Sequence, residues 1–166
     1  MPDSIVERLK RWKNDRGALA NLRCALRSNL KTRAWPLLAQ MASLEGPLAV
    51  AYETVCGLWA SSTESHKKIG NFGVTCRKIR GDHESFDLRF RRLLSCDDRE
   101  ELCSRIVPVA LAAQAKGIAI DYDLLFADIK FFGGDGLDRV RTSWAQAYWG
   151  ATDAESTDEK KEEAAI

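Results

Sequence analysis

The sequence predicts an all-α fold of two small packed bundles, eight or nine helices and no sheet, and three observations carry that expectation. Apolar residues recur at three- and four-residue intervals nearly everywhere between residues 5 and 149. Short polar residues that suit helix starts, and glycines that suit helix ends, fall at the edges of these stripes. No segment sustains the alternation of apolar and polar residues that a half-buried strand requires.

Ser4-x-x-Glu7 reads as a capping box opening a first helix, with Ile5, Leu9 and Trp12 on one face. Leu19, Leu22, Leu26 and Leu30 form a second stripe, and Arg16, Arg23 and Arg27 keep their own helical spacing beside it. Pro36 suits the first position of a short third helix ending near Met41. Gly46-Pro47 starts a fourth, with Leu48, Tyr52, Val55 and Trp59 inward, and residues 61–71 are polar and loop-like. Phe72 to Ile79 is a short helix, and Arg80-Gly81-Asp82 turns the chain. Phe86, Phe90 and Leu93 mark the buried side of the next helix, while Arg89 and Arg92, three apart, are neighbours on another face. Asp97 or Asp98 caps a long helix that Pro108 should kink and Gly117 stops. Asp121 caps a helix burying Leu125, Ile129 and Phe132, and Asp135 caps the last, which buries Val140, Trp144 and Tyr148.

A chain of 166 residues with 45% hydrophobic content is one domain with a respectable core, divided into sub-bundles at about 1–95 and 96–150. There is no run of eighteen apolar residues, and the charged N-terminus lacks the apolar centre of a signal peptide, so a cytoplasmic protein is expected. Residues 151–166 are acidic, small and polar, and are expected to be a disordered tail. The five cysteines are odd in number, contain no CxxC pair and lie mostly in apolar helical patterns, which suits small buried hydrophobes. Neither His66 nor His83 has a second ligand at metal spacing, so no metal and no cofactor is expected.

Charge is segregated along the chain. Residues 1–35 carry nine Lys/Arg against three acids, and residues 66–92 carry eight against three. The segment 36–65 between them has three acids and no basic residue. Within 16–33 and 77–92, arginines outnumber lysines nine to two. The planar guanidinium makes bidentate phosphate contacts and stacks on bases, so this bias points to a polyanion as ligand. Nucleophile-elbow, P-loop and zinc-hydrolase patterns are absent, and Gly133-Gly134-Asp135-Gly136 comes after a helix rather than a strand. No enzyme is expected.

Five motifs carry a resemblance. Gly70-Asn-Phe-Gly-Val-Thr-Cys-Arg-Lys-Ile79, Phe86-Asp-Leu-Arg-Phe-Arg-Arg-Leu-Leu94, Ile120-Asp-Tyr-Asp-Leu-Leu-Phe-Ala-Asp-Ile129, Val140-Arg-Thr-Ser-Trp-Ala-Gln-Ala-Tyr-Trp149 and Arg16-Gly-Ala-Leu-Ala-Asn-Leu-Arg23 appear in consistent order. Together they resemble the CasB family, the small subunit of the type I-E CRISPR surveillance complex, Cascade. That resemblance implies a non-catalytic helical subunit, placed beside crRNA, other Cascade subunits and an adjacent copy of itself. It implies that the family holds target and displaced (non-target) DNA strands and stabilises the R-loop. Arg23, Arg77, Arg89 and Arg92 fall in matching motifs as nucleic-acid-binding residues. Arg27, Lys78, Arg99 and Arg105 join them by charge and helical position. The turn 133–136 departs from the family, whose members often carry basic residues there, and is left out of the site. Two alternatives stay open: a stand-alone helix-turn-helix regulator, and an assembly-only scaffold that uses some of its tryptophans for protein contacts.

Overall fold

The computed structural model describes residues 4–132 and 135–150. Among these residues the chain forms nine α-helices and no strand, as the apolar periodicity requires. They are α1 (Ile5–Leu9), α2 (Arg16–Arg23), α3 (Trp35–Met41), α4 (Ala49–Ser61), α5 (Phe72–Arg80), α6 (Asp87–Leu94), α7 (Arg99–Ala115), α8 (Tyr122–Phe131) and α9 (Leu137–Trp149). Short 3-10 turns extend α1 and α2 and lead into α3 and α6. The acidic segment 151–166 and Gly133-Gly134 lie outside the described residues.

Side-chain caps set most of the starts. Ser4 Oγ accepts from the Glu7 amide at 3.1 Å, but Glu7 turns its carboxylate to Lys10 Nζ at 2.7 Å, so only half of the capping box forms. Asn71 caps α5, Asp98 rather than Asp97 caps α7, and Asp121 caps α8. Asp135 does not cap α9: Gly136 occupies the N-cap position, without a side-chain bond. α7 runs through Pro108 as one helix, and Gly117 (φ +70°) comes after it in the left-handed region that glycine tolerates.

The lack of basic residues in 36–65 has a tertiary counterpart. α4 lies in the middle of the molecule against α2, α3, α7 and α8. Ala51 and every residue from Thr54 to Ala60 are buried, so burial wraps round the helix instead of following the single inward stripe expected. Most of this helix has no solvent face, and its one charged residue, Glu53, sits where the helix borders an open cleft. Cys56 and Cys103 behave as core hydrophobes here, with burial pushing their thiols up to about 12 and about 11.

α5 packs on α9, and their backbones meet at Gly73. Trp144, fully buried on α9, stacks obliquely on Phe72 and donates its indole N–H to Asp128 Oδ2 on α8 at 2.8 Å. Burial raises the Asp128 carboxyl above the ordinary aspartate range, and the Trp144 bond only partly offsets this. The native state thus holds the proton more tightly than the unfolded chain. Stability from this group falls as pH rises from about 4 through the raised native value, and the penalty persists at neutral pH. Asp128→Asn keeps an oxygen acceptor for the indole without the charge. Its Tm at pH 7 is expected to exceed the parent's by about 2 °C, with a flatter profile from pH 4 to 7. A Tm at or below the parent's at pH 7 would contradict this account.

Candidate nucleic-acid interface

α6 is short and sharply two-sided. Phe90 and Leu93 are buried, with Phe90 stacked on Tyr148 of α9 at 3.9 Å between ring centroids, while Arg89, Arg91 and Arg92 are exposed. α6 also packs against α7, whose residues 101, 104, 105, 108 and 109 share one helical face. Between the two helices lies an open cleft of about 370 Å³. Arg89 and Arg92 enter it from α6, and Arg105 and Ser104 from α7, over Pro108 and Val109. The one carboxylate there, Glu101, pairs with Arg105 at 3.4 Å. Three guanidiniums thus face one acid, and an exposed pair of that kind contributes about 1 kcal/mol at most. Arg89 lies 5.6 Å over the Phe86 ring, which orients its fork without consuming its donors.

The cleft brings together three of the eight sequence-predicted residues. Arg23 ends α2 and Arg27 lies just past the turn after it; both are exposed, and neither lines the cleft. Arg77, half-buried, and Lys78, exposed, sit on α5 outside it. Arg99 is placed differently again. Its guanidinium donates to the Ile129 carbonyl at 3.1 Å and to the Lys130 carbonyl, closing the C-terminal turn of α8. It also reaches the Pro47 carbonyl at 3.5 Å. A side chain committed to helix-end carbonyls is a structural clamp first, favoured by the negative end of the helix dipole. A larger cleft of about 580 Å³ beside it carries Glu53, Asp97, Asp98 and Glu100 against Lys31 and Arg99, a balance that repels a polyanion.

A family model described as CRISPR-associated protein Cse2 matches residues 18–149. The chain belongs to the Cse2 family. The resemblance read from the five motifs therefore holds. Among solved structures, the Cse2-family protein TTHB189 from Thermus thermophilus superposes with a TM-score of 0.73 at 22% identity, over 90% of this chain and 100% of that one. CasB from M. ruber gives 0.70 at 22% identity over 92% and 94% of the two chains. CasB from Thermobifida fusca gives 0.64 at 19% identity over 86% and 92%. These likenesses show the fold. No curated protein matches the chain significantly.

Within this Cse2-family chain, sequence reasoning missed two arrangements. Glu101, Ser104, Pro108 and Val109 complete the arginine cleft, and their i, i+3, i+7, i+8 spacing was available as a signal. What was not available is that this face of α7 meets α6. The second arrangement is His66 with Asp121 and Asp123, whose ligand atoms lie within 4.8 Å of one another. His66 is more than fifty residues from the two aspartates in sequence, hence the expectation that it has no second ligand at metal spacing. His66 Nδ1 accepts from the Tyr122 amide at 3.1 Å, so in the neutral ring the proton sits on Nε2, which faces Asp123 Oδ2 at 3.9 Å. Asp123 Oδ1 accepts from the Val6 amide, and Asp121 Oδ1 from that of Leu124. With the Nδ1 lone pair used and Nε2 protonated, the ring offers a metal no free lone pair. The trio ties α1, the 62–71 loop and the start of α8 together.

Proposed function

We propose that this Cse2-family chain is a non-catalytic subunit of a type I-E CRISPR surveillance complex. In that role its arginine cleft grips the backbones of crRNA and of target and displaced DNA strands, stabilising the R-loop in antiviral defence. The observation that carries the reading is the convergence of Arg89, Arg92 and Arg105 from two helices on one open cleft. Guanidinium forks match phosphate oxygens, and the Pro108–Val109 floor accepts the apolar face of a sugar or base. In guide-directed recognition base pairing reads the sequence, so the protein need only hold backbones. R-loop formation is nearly balanced, and about 3 kcal/mol of extra grip on the open form shifts it about a hundredfold. Arg23, Arg27, Arg77 and Lys78, outside the cleft, would supply further backbone contacts.

The connection between α5 and α6 weakens the regulator alternative. Residues 81–86, including a 3-10 turn at Glu84–Phe86, separate the helices, against the three- or four-residue turn of a helix-turn-helix motif. The exposed face of α6 also presents arginines without Asn or Gln to read bases.

Fluorescence anisotropy with single-stranded DNA, duplex DNA and guide-like RNA of unrelated sequences, across a salt series, tests the reading. Expected is a log-affinity slope on single strands of about −0.7 per phosphate neutralised, near −2 for three arginines, with little sequence preference. A salt-resistant preference for one duplex would point to a regulator. No binding at low salt would leave an assembly scaffold.

A further inference from the structure

The helix that carries Arg89 and Arg92 is held from outside itself. With eight residues α6 is too short to be stable alone, and its N-cap, Phe86, supplies no side-chain bond. Its first residue, Asp87, turns its carboxylate to two other helices. Arg80, at the end of α5, brings Nε to 3.0 Å from Asp87 Oδ1, and Tyr148 of α9 donates its hydroxyl to the same oxygen. Arg80 Nε is buried without an aligned hydrogen bond, so its tie to Asp87 is one of charge. The Arg80 guanidinium also lies 5.7 Å over the Tyr148 ring. The Tyr148 hydroxyl, more than the Arg80 charge, holds the Asp87 carboxyl below the ordinary aspartate range, so it stays ionised at neutral pH.

Tyr148 grips α6 at two points one turn apart. Its hydroxyl meets Asp87, and its ring stacks on Phe90, three residues later on the same face. At about 100° per residue, Arg89 and Arg92 lie about 160° and 140° round the helix from Asp87, on its far side. Asp87 does not line the cleft, but the roll that it fixes is the roll that aims the two arginines. A rotation of about 20° carries a side chain at a radius of about 5–6 Å through about 2 Å, enough to break a phosphate hydrogen bond.

We infer that Asp87 is a positioning residue for the arginine cleft: held by Arg80 and Tyr148, it fixes the roll of α6 and so the distance at which Arg89 and Arg92 face Arg105. The inference rests on the reading of that cleft as a phosphate site. Its sign is distinctive. Asp87 is an acid on the arginine helix, so by net charge alone its removal tightens the binding of a polyanion. By position, its removal weakens that binding.

Two variants of the full chain test this. Asp87→Asn keeps the shape and an oxygen for the Tyr148 hydroxyl, and removes the charge that holds Arg80. Tyr148→Phe keeps the ring stack and every charge, and removes only the hydroxyl; it carries the test if Asp87→Asn does not fold. Each is made alone and together with Arg89→Ala and Arg92→Ala. Anisotropy on an oligothymidylate single strand is read from 50 to 400 mM salt, well below the Tm of each protein. Expected for both is affinity about three- to fivefold lower at 50 mM with a flatter salt slope, part of the roughly tenfold that one phosphate contact contributes. In the Arg89/Arg92 background neither change should weaken binding further. The backbone amide resonances of Ser104, Arg105 and Val109, across the cleft, should shift in both variants. Tighter binding by Asp87→Asn, or equal weakening in the two backgrounds, would overturn the inference and leave Asp87 a stabilising contact only. If no form binds any oligonucleotide, the phosphate-site reading fails. The amide resonances then decide alone whether Asp87 sets the seat of α6 against α7, and unshifted ones overturn it.

Discussion

Replacing Arg89, Arg92 and Arg105 together by alanine is expected to lower affinity for a single strand by about two to three orders of magnitude at 50 mM salt. The magnitude comes from counterion release. Each lost phosphate contact removes about 0.7 from the salt slope, close to tenfold per arginine at that salt, and the slope itself should flatten by about 2. The fold should survive, because the three side chains are exposed and their contacts are surface ones: a ring under Arg89 and an i, i+4 acid beside Arg105. Circular dichroism and Tm check that condition. Arg99→Ala supplies the contrast. It removes the clamp on the α8 carbonyls, so it should lower Tm while leaving the salt slope nearly unchanged. An unchanged slope in the triple variant, with native helicity, would remove the cleft from the binding site.

The second large effect is expected in the packing. A Cβ built on Gly73 lies 2.9 Å from Trp144 Cα and closer still to the Trp144 carbonyl oxygen. Both obstacles are backbone, so no rotamer change relieves them; α5 and α9 must move apart. Gly73→Ala is expected to cost about 2–3 kcal/mol, even after the helix propensity that alanine adds, lowering Tm by about 4–10 °C. Gly17 on α2 is the control. A Cβ there meets only Asp15 Oδ1 at an ordinary 3.5 Å, so Gly17→Ala should leave Tm unchanged or raise it slightly. A Gly73→Ala Tm within a degree of the parent's would show that the two helices are not in backbone contact.

The same glycine shows where sequence reading stops. Gly73 lies buried in the first turn of α5, and what approaches it is α9. A missing side chain signals that something comes close, but not what. The tryptophans divide in a similar way. Trp59 and Trp144 are 1% and 0% exposed and belong to the core, whereas Trp35 and Trp149 are each 40% exposed. Trp59 lies on the inward stripe read for its helix, whereas Trp35, also beside small residues, lies on none. Asp97 and Asp98 are adjacent and alike, yet only the second accepts an amide of α7.

Much was legible without a fold. Helical periodicity, the Asp121 cap and the inward stripes of α6, α8 and α9 are local properties, decided by residues within one or two turns. The arginine bias and the family motifs are likewise written in order along the chain; the motifs gave the family, and the bias pointed to a polyanion. The tertiary structure decided which arginines lie together. Arg89, Arg92 and Arg105 share a cleft because α6 crosses α7, while Arg99, equally basic in sequence, is drawn to the open carbonyls at the end of α8. Charge is carried by single residues and can be read one at a time. A binding site is a distance between residues far apart in the chain, and packing of the apolar faces sets that distance.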